Sequence, residues 1–141
     1  MPTIFKDVDV KKNLLINKKV GIIGYGNQGR AQALNLRDSK ITIKIGLRKN
    51  SKSADLVAKD GLDFLEIPNL VQWADVIAIL IPDEIMSNVY ENHIKPHLNE
   101  NQLLLFSHGF NIHYKHILTP EYIDVVLVAP SGPGKMVREK Y

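Results

Sequence analysis

Apolar and polar positions along this chain follow two rhythms. Short β-branched runs stand at residues 20–23, 41–47, 62–65 (weakly), 76–81, 103–106 and 125–128. Each is apolar nearly throughout rather than at every second position, which marks strands buried on both faces. Between them the spacing predicts helices over residues 29–37, 53–59, 69–74 and 84–90, with a weaker one over 112–118. A short capped helix is expected over residues 9–16, ahead of the first strand. Strands alternating with helices in this way predict an α/β fold. It is a doubly wound, mostly parallel Rossmann sheet with helices on both faces, whose ligands sit at the carboxyl ends of the strands.

The first strand breaks into Gly24-Tyr25-Gly26-Asn27-Gln28-Gly29 and then opens a helix at Ala31-Gln32-Ala33-Leu34. A bare G-x-G-x-x-G carries little information, but strand before and helix after is the context a dinucleotide site requires. Gly24 allows the tight turn, Gly26 lets the backbone approach a pyrophosphate, and Gly29 lets the helix pack on the strand. The helix N-terminus supplies free N–H groups and the positive end of its dipole.

Composition narrows the rest. At 141 residues, 45% hydrophobic and 23% charged, the chain is one ordinary globular domain. A net charge of +3 spread along the chain is too mild for nucleic acid. The absence of cysteine excludes disulfides, thiolate metal sites and cysteine nucleophiles. With no apolar segment after Met1-Pro2-Thr3 and no run approaching a membrane span, a soluble cytoplasmic protein is expected. After the last strand, Pro130-Ser131-Gly132-Pro133-Gly134 reads as a rigid loop. A Rossmann domain seldom makes a complete enzyme, so a second domain is expected beyond residues 1–141.

A domain that takes NAD usually places Asp or Glu on the ribose 2′-hydroxyl about 20 residues past the glycines. Here the end of the second strand reads Gly46-Leu47-Arg48-Lys49-Asn50-Ser51-Lys52-Ser53, with no carboxylate before Asp55. A guanidinium with two hydroxyls suits a 2′-phosphate, so Arg48, Ser51 and Ser53 point to NADP(H). A solvated basic turn with Ser53 as a helix N-cap would look the same. His108 follows the apolar run 103–106 and precedes Gly109, at a strand end beside the cofactor crevice, where an imidazole can shuttle protons. Asp83 and Glu84 complement a helix dipole and also lie after the fourth strand, next to the cofactor. His93, His97, His113 and His116 read as surface or loop residues rather than metal ligands, since no pair has a clear metal-site geometry.

These motifs together resemble the N-terminal domain of the ketol-acid reductoisomerases, or acetohydroxy-acid isomeroreductases. The resemblance rests on the glycine run, on Gly46-Leu47-Arg48 with Ser51-Lys52-Ser53, and on Ile81-Pro82-Asp83-Glu84. It continues through Ser107-His108-Gly109-Phe110-Asn111-Ile112-His113 and Ala129-Pro130-Ser131-Gly132-Pro133-Gly134 with Val137-Arg138. It implies NADPH and Mg²⁺, and a shift of an alkyl group in 2-acetolactate or 2-aceto-2-hydroxybutyrate followed by reduction to a 2,3-dihydroxy acid, a step of branched-chain amino-acid biosynthesis. It further implies that Gly24, Tyr25, Gly26, Asn27, Gln28 and Gly29 hold the pyrophosphate and that Arg48, Ser51 and Ser53 hold the 2′-phosphate. By the same resemblance Asp83, Glu84, Ile85 and Met86 run along the cofactor, Gly134 contacts its nicotinamide end, and His108 is the active-site histidine.

The family's magnesium ligands come from a separate helical domain, so none is expected in this chain. The lysine usual in the proline–glycine loop is Ser131 here, and histidines usual after Gln-Gly and Pro-Gly are Arg30 and Lys135. Catalysis by residues 1–141 alone is therefore not expected. Two other readings remain: another NADP-dependent Rossmann reductase of the 6-phosphogluconate or pyrroline-carboxylate type, and a non-enzymatic nucleotide-sensing module. Ser107-His108-Gly109-Phe110 speaks against the first, and Asp83 with His108 against the second.

Overall fold

A computed structural model describes residues 1–141. Six strands form one sheet: β1 (Lys19–Ile23), β2 (Thr42–Leu47), β3 (Phe64–Glu66), β4 (Val76–Ile79), β5 (Leu103–Phe106) and β6 (Asp124–Leu127). Their order is β3-β2-β1-β4-β5-β6 and every pairing is parallel. This is the doubly wound order in which the strand order reverses between β1 and β4, opening a crevice at their carboxyl ends.

The near-continuous apolar runs follow from burial on both faces. In β1, Val20 and Ile22 join one cluster with Ala33, Ile45 and Val57, under α1 (Asn27–Asp38) and α2 (Ala54–Lys59). Ile23 turns to the opposite cluster with Leu70, Val71, Ile77 and Ile79, under α3 (Ile67–Trp73) and α4 (Asp83–Val89). Gln102 is a buried amide at the base of this side. Its Nε2 donates to Val71 O (2.6 Å) and Ala74 O (2.8 Å), satisfying carbonyls that the end of α3 leaves free. No helix is long and apolar enough to cross a membrane.

Three expectations about helices are corrected. Residues 9–16 form no helix; a 3₁₀ turn at Asp7–Asp9 is followed by turns, with Asn13 at φ 67°. Every residue from 1 to 19 is exposed, and a segment so short, with no face to bury, does not hold helix in water. The weak helix over 112–118 is one turn, α5 (Phe110–His113), ended by Lys115 at φ 57°, which a right-handed helix cannot contain. Gly134, read as the end of the proline–glycine loop, instead opens α6 (Gly134–Glu139), a helix the hydrophobic spacing does not predict. It lies on α1 through Arg138, which reaches Asp38 at 2.6 Å and Asn35 Oδ1 at 2.9 Å, while Asn35 Nδ2 donates to Val137 O at 3.2 Å.

Candidate functional site: a dinucleotide crevice with an imidazole at one end

The glycine loop connects β1 to α1, and each glycine has a separate structural reason. Gly24 stands at φ 98°, and a Cβ there would meet Leu80 O at 2.6 Å. Gly29 packs so close that its Cβ would meet Gly24 O at 2.5 Å. At Gly26, the N-cap of α1, a Cβ would meet nothing within 4 Å. Its surroundings in the protein would accept a side chain. The N–H groups of Asn27, Gln28 and Gly29 find no partner in the chain, as at any helix start without a capping side chain. An open cradle over unpaired N–H groups at the positive end of a 12-residue helix fits a pyrophosphate.

Tyr25 sits in this loop, but its side chain turns inward. The ring is buried and its hydroxyl donates to Asp60 Oδ2 at 2.7 Å. Arg30 grips the same carboxylate twice, Nε to Oδ2 at 2.8 Å and Nη2 to Oδ1 at 3.0 Å. The Arg30 hydrogen bonds hold the Asp60 carboxyl down at about 2, while burial and the bond to Asp60 push the Tyr25 phenol above its ordinary value. Only the Tyr25 backbone thus faces the cradle, and the Tyr25–Asp60–Arg30 cluster braces it from beneath. Because the folded carboxyl is depressed below its unfolded value of about 4, its stabilisation is complete above that pH and is lost as pH falls from about 4 towards 2. Melting temperature followed across that window should fall in the parent chain, and Asp60→Asn should flatten that part of the curve.

At the end of β2, Leu47, Arg48, Lys49, Asn50 and Ser51 line a recess of about 320 Å³ with Phe64, Leu65 and Glu66. Ser53 makes no side-chain cap on α2; its own N–H is held by Ser51 Oγ at 3.2 Å. Ser53 thus stands at the N-cap position of α2 with its hydroxyl making no capping bond, and Arg48 makes no ion pair within the chain. Sequence reasoning missed Glu66. It sought a carboxylate on β2, whereas the sheet brings one from β3, whose Glu66 pairs in register with Leu47.

At the other end, Gln28, Ile81, Pro82, Asp83, Met86, Ser107, His108 and Gly132 line a crevice of about 530 Å³. Gln28 Nε2 donates to Gly132 O at 3.0 Å, tying the proline–glycine loop to the start of α1. His108, at the end of β5, is exposed, and its Nδ1 lies 2.7 Å from Asp83 Oδ2. Asn111, 2% exposed and also missed, places its Nδ2 3.2 Å from Asp83 O and 3.4 Å from Asp83 Oδ1. An Asn one turn past a strand-end His was the signal available in the sequence.

The other sequence-named residues divide. Met86 lines the crevice while burying most of its side chain in the core, whereas Glu84 faces a separate hollow with Ser87 and His116. Ile85 is exposed and lines neither. Gly134 is buried against the Asn27 backbone, where any Cβ would collide with the Asn27 carbonyl, so packing of α6 on α1 already requires a glycine there. Asn27 itself lies on that α1–α6 side. No group of three or more His, Asp or Glu side chains is placed to hold a metal.

Comparison with known proteins agrees with this fold. The ketol-acid reductoisomerase (NADP(+)) of Pyrococcus abyssi is 51% identical over 138 residues, 98% of this chain and 42% of that protein. The corresponding protein of Methanopyrus kandleri is 50% identical over 141 residues, 100% of this chain and 43% of that one. The chain thus spans under half the length of the curated relatives it matches. An NADH-preferring ketol-acid reductoisomerase from an uncultured archean superimposes with a TM-score of 0.90 at 42% identity, over 94% of this chain and 42% of that one. A 3-hydroxyisobutyrate dehydrogenase of Mycobacterium tuberculosis shares the fold alone, with a TM-score of 0.69 at 17% identity over 86% of this chain and 43% of that one. Residues 14–141 match the family described as acetohydroxy acid isomeroreductase, NADPH-binding domain, and the chain belongs to that family.

Proposed function

We propose that residues 1–141 are the NADPH-binding, N-terminal Rossmann domain of a cytoplasmic ketol-acid reductoisomerase. The whole enzyme converts 2-acetolactate to 2,3-dihydroxyisovalerate, and 2-aceto-2-hydroxybutyrate likewise, by alkyl migration and reduction. The pyrophosphate lies over Gly26 on the free N–H groups of Asn27, Gln28 and Gly29. The 2′-phosphate occupies the recess of Arg48 and Ser51, with Ser53 adjoining it outside the lining. The nicotinamide end, which supplies hydride, enters the crevice beside Gln28, Asp83, Met86 and His108, and Gly134 lets α6 pack on α1 where the proline–glycine loop leaves the crevice. His108 takes or gives the proton that accompanies the reduction. Magnesium prefers carboxylate oxygens in near-octahedral array, and in this reading the full-length enzyme would supply them from its helical domain.

The observation carrying the cofactor choice is the basic recess at the end of β2, with an unpaired Arg48 beside Ser51. Arg48→Ala should weaken NADPH by roughly tenfold to a hundredfold, since a hydrogen bond to a charged group contributes about 1.5–3 kcal/mol, and should leave NADH almost unchanged. Calorimetric titration of both cofactors into both chains is the test; equal affinity for NADPH and NADH in the parent would overturn the preference. A second reading, that NADH is also accepted, is favoured by Glu66 in the same recess, a carboxylate able to take the ribose 2′-hydroxyl. The same titration measures it.

A further inference from the structure

We infer that Asn111 is a positioning residue: through Asp83 it holds the His108 imidazole in a single tautomer, with Nε2 free for proton transfer. The inference rests on the reading of His108 given above and extends it by one link.

The chemistry runs outward from the buried end. Asn111 is 2% exposed, and its Nδ2 faces two acceptors of the same residue, the Asp83 carbonyl at 3.2 Å and Oδ1 at 3.4 Å. With the amide reversed, Asn111 Oδ1 would confront two oxygens, so the neighbours settle which way it points. One carboxylate oxygen of Asp83 is thereby engaged, and the other lies 2.7 Å from His108 Nδ1. An ionised carboxylate only accepts, so Nδ1 carries the hydrogen. In the neutral ring the lone pair is then on Nε2, which makes no hydrogen bond within the chain. The His108 side chain is 69% exposed, and the Phe110 ring, nearly parallel at 10° with centroids 6.4 Å apart, supports it on one side. Little else restrains it.

Asp83 is itself partly open, with 30% of its side chain exposed. Without a donor on Oδ1 the carboxyl group would turn about its own axis and lose aim at the imidazole. The bond from Asn111 to the Asp83 backbone could tie α5 to α4 with no such consequence, so stability alone does not test the idea.

The test is the tautomer. Imidazole nitrogen shifts of His108 are measured by NMR in the ¹⁵N-labelled 141-residue chain, at about pH 8.5 where an ordinary histidine is neutral. The parent should be predominantly protonated on Nδ1. Asn111→Leu keeps the branched shape and removes the donor, and Asn111→Ser is a milder second variant should the first fail to fold. In either, the ratio of Nδ1–H to Nε2–H should fall on the order of tenfold, the change expected from losing one aligned charged hydrogen bond. Asp83→Ala sets the fully released value. If Asp83→Ala moves the ratio and neither Asn111 variant does, Asn111 is only structural and the inference is overturned, with the His108–Asp83 pair standing. If the parent is protonated on Nε2, or Asp83→Ala changes nothing, the pair itself fails and the inference with it. Cofactor titration is independent of all these outcomes.

Discussion

Gly26→Val should leave a folded domain that no longer binds dinucleotide. The position is unusual among the three loop glycines in what surrounds it. Gly26 has φ −77°, which any L-residue adopts, and a Cβ built there meets nothing within 4 Å. The chain itself therefore has no objection to a side chain. A pyrophosphate does, because the two added methyl groups would fill the space above the free N–H groups of Asn27, Gln28 and Gly29. Losing two or more charge-assisted hydrogen bonds removes about 3 kcal/mol or more, a hundredfold or greater drop in NADPH affinity. The cost to folding should stay near that of exchanging an unbonded N-cap, on the order of 1 kcal/mol or less. Replacements at Gly24 or Gly29 behave differently: a Cβ there strikes backbone at 2.6 or 2.5 Å, so they damage the fold before any ligand is added. Circular dichroism and calorimetry on Gly26→Val separate the two cases. A folded variant that binds NADPH as the parent does would place the phosphates elsewhere.

The strand pattern was readable because a doubly covered parallel sheet needs apolar residues at successive positions. Residues 103–106 coincide with β5, and the remaining strands fall within two residues of their expected ends. The glycine loop was readable for the same local reason: strand, turn and helix start lie within ten residues. What escaped depends on contacts between distant segments. Nothing in Gly24-Tyr25-Gly26 reveals that the phenol turns inward to Asp60, 35 residues on. Glu66 reaches the β2 recess only because β3 pairs beside β2. Asp83 and His108 are 25 residues apart and meet because β4 and β5 are neighbours whose ends face one crevice. Helix α6 was missed since its six residues carry too little periodicity; Arg138 meeting Asp38 and Asn35 on α1 fastens it.

Residues 1–141 as a separate chain should bind NADPH and yet show no turnover of 2-acetolactate. Moving an alkyl group between adjacent carbons requires a Lewis acid to polarise the substrate's carbonyl and hydroxyl oxygens. The carboxylates here are committed or scattered: Asp60 to Arg30 and Tyr25, Asp38 to Arg138 and Arg37, Asp83 to His108 and Asn111. No three of them converge on a point where a divalent cation could sit. Ser131 adds no positive charge to the loop facing the crevice, so an anionic substrate lacks an electrostatic partner there as well. On the proposed role of His108, what the crevice would offer is proton transfer. That contributes typically about 10²–10⁴-fold, far from the roughly 10⁶-fold or more by which enzymes accelerate reactions. The assay is NADPH absorbance with saturating 2-acetolactate and Mg²⁺, run on the purified chain and again with the helical domain of a relative added. Substrate-dependent oxidation by the chain alone would show that the metal site is here after all. Turnover appearing only when the helical domain is supplied would assign cofactor binding and His108 to this domain, and the metal ligands to the other.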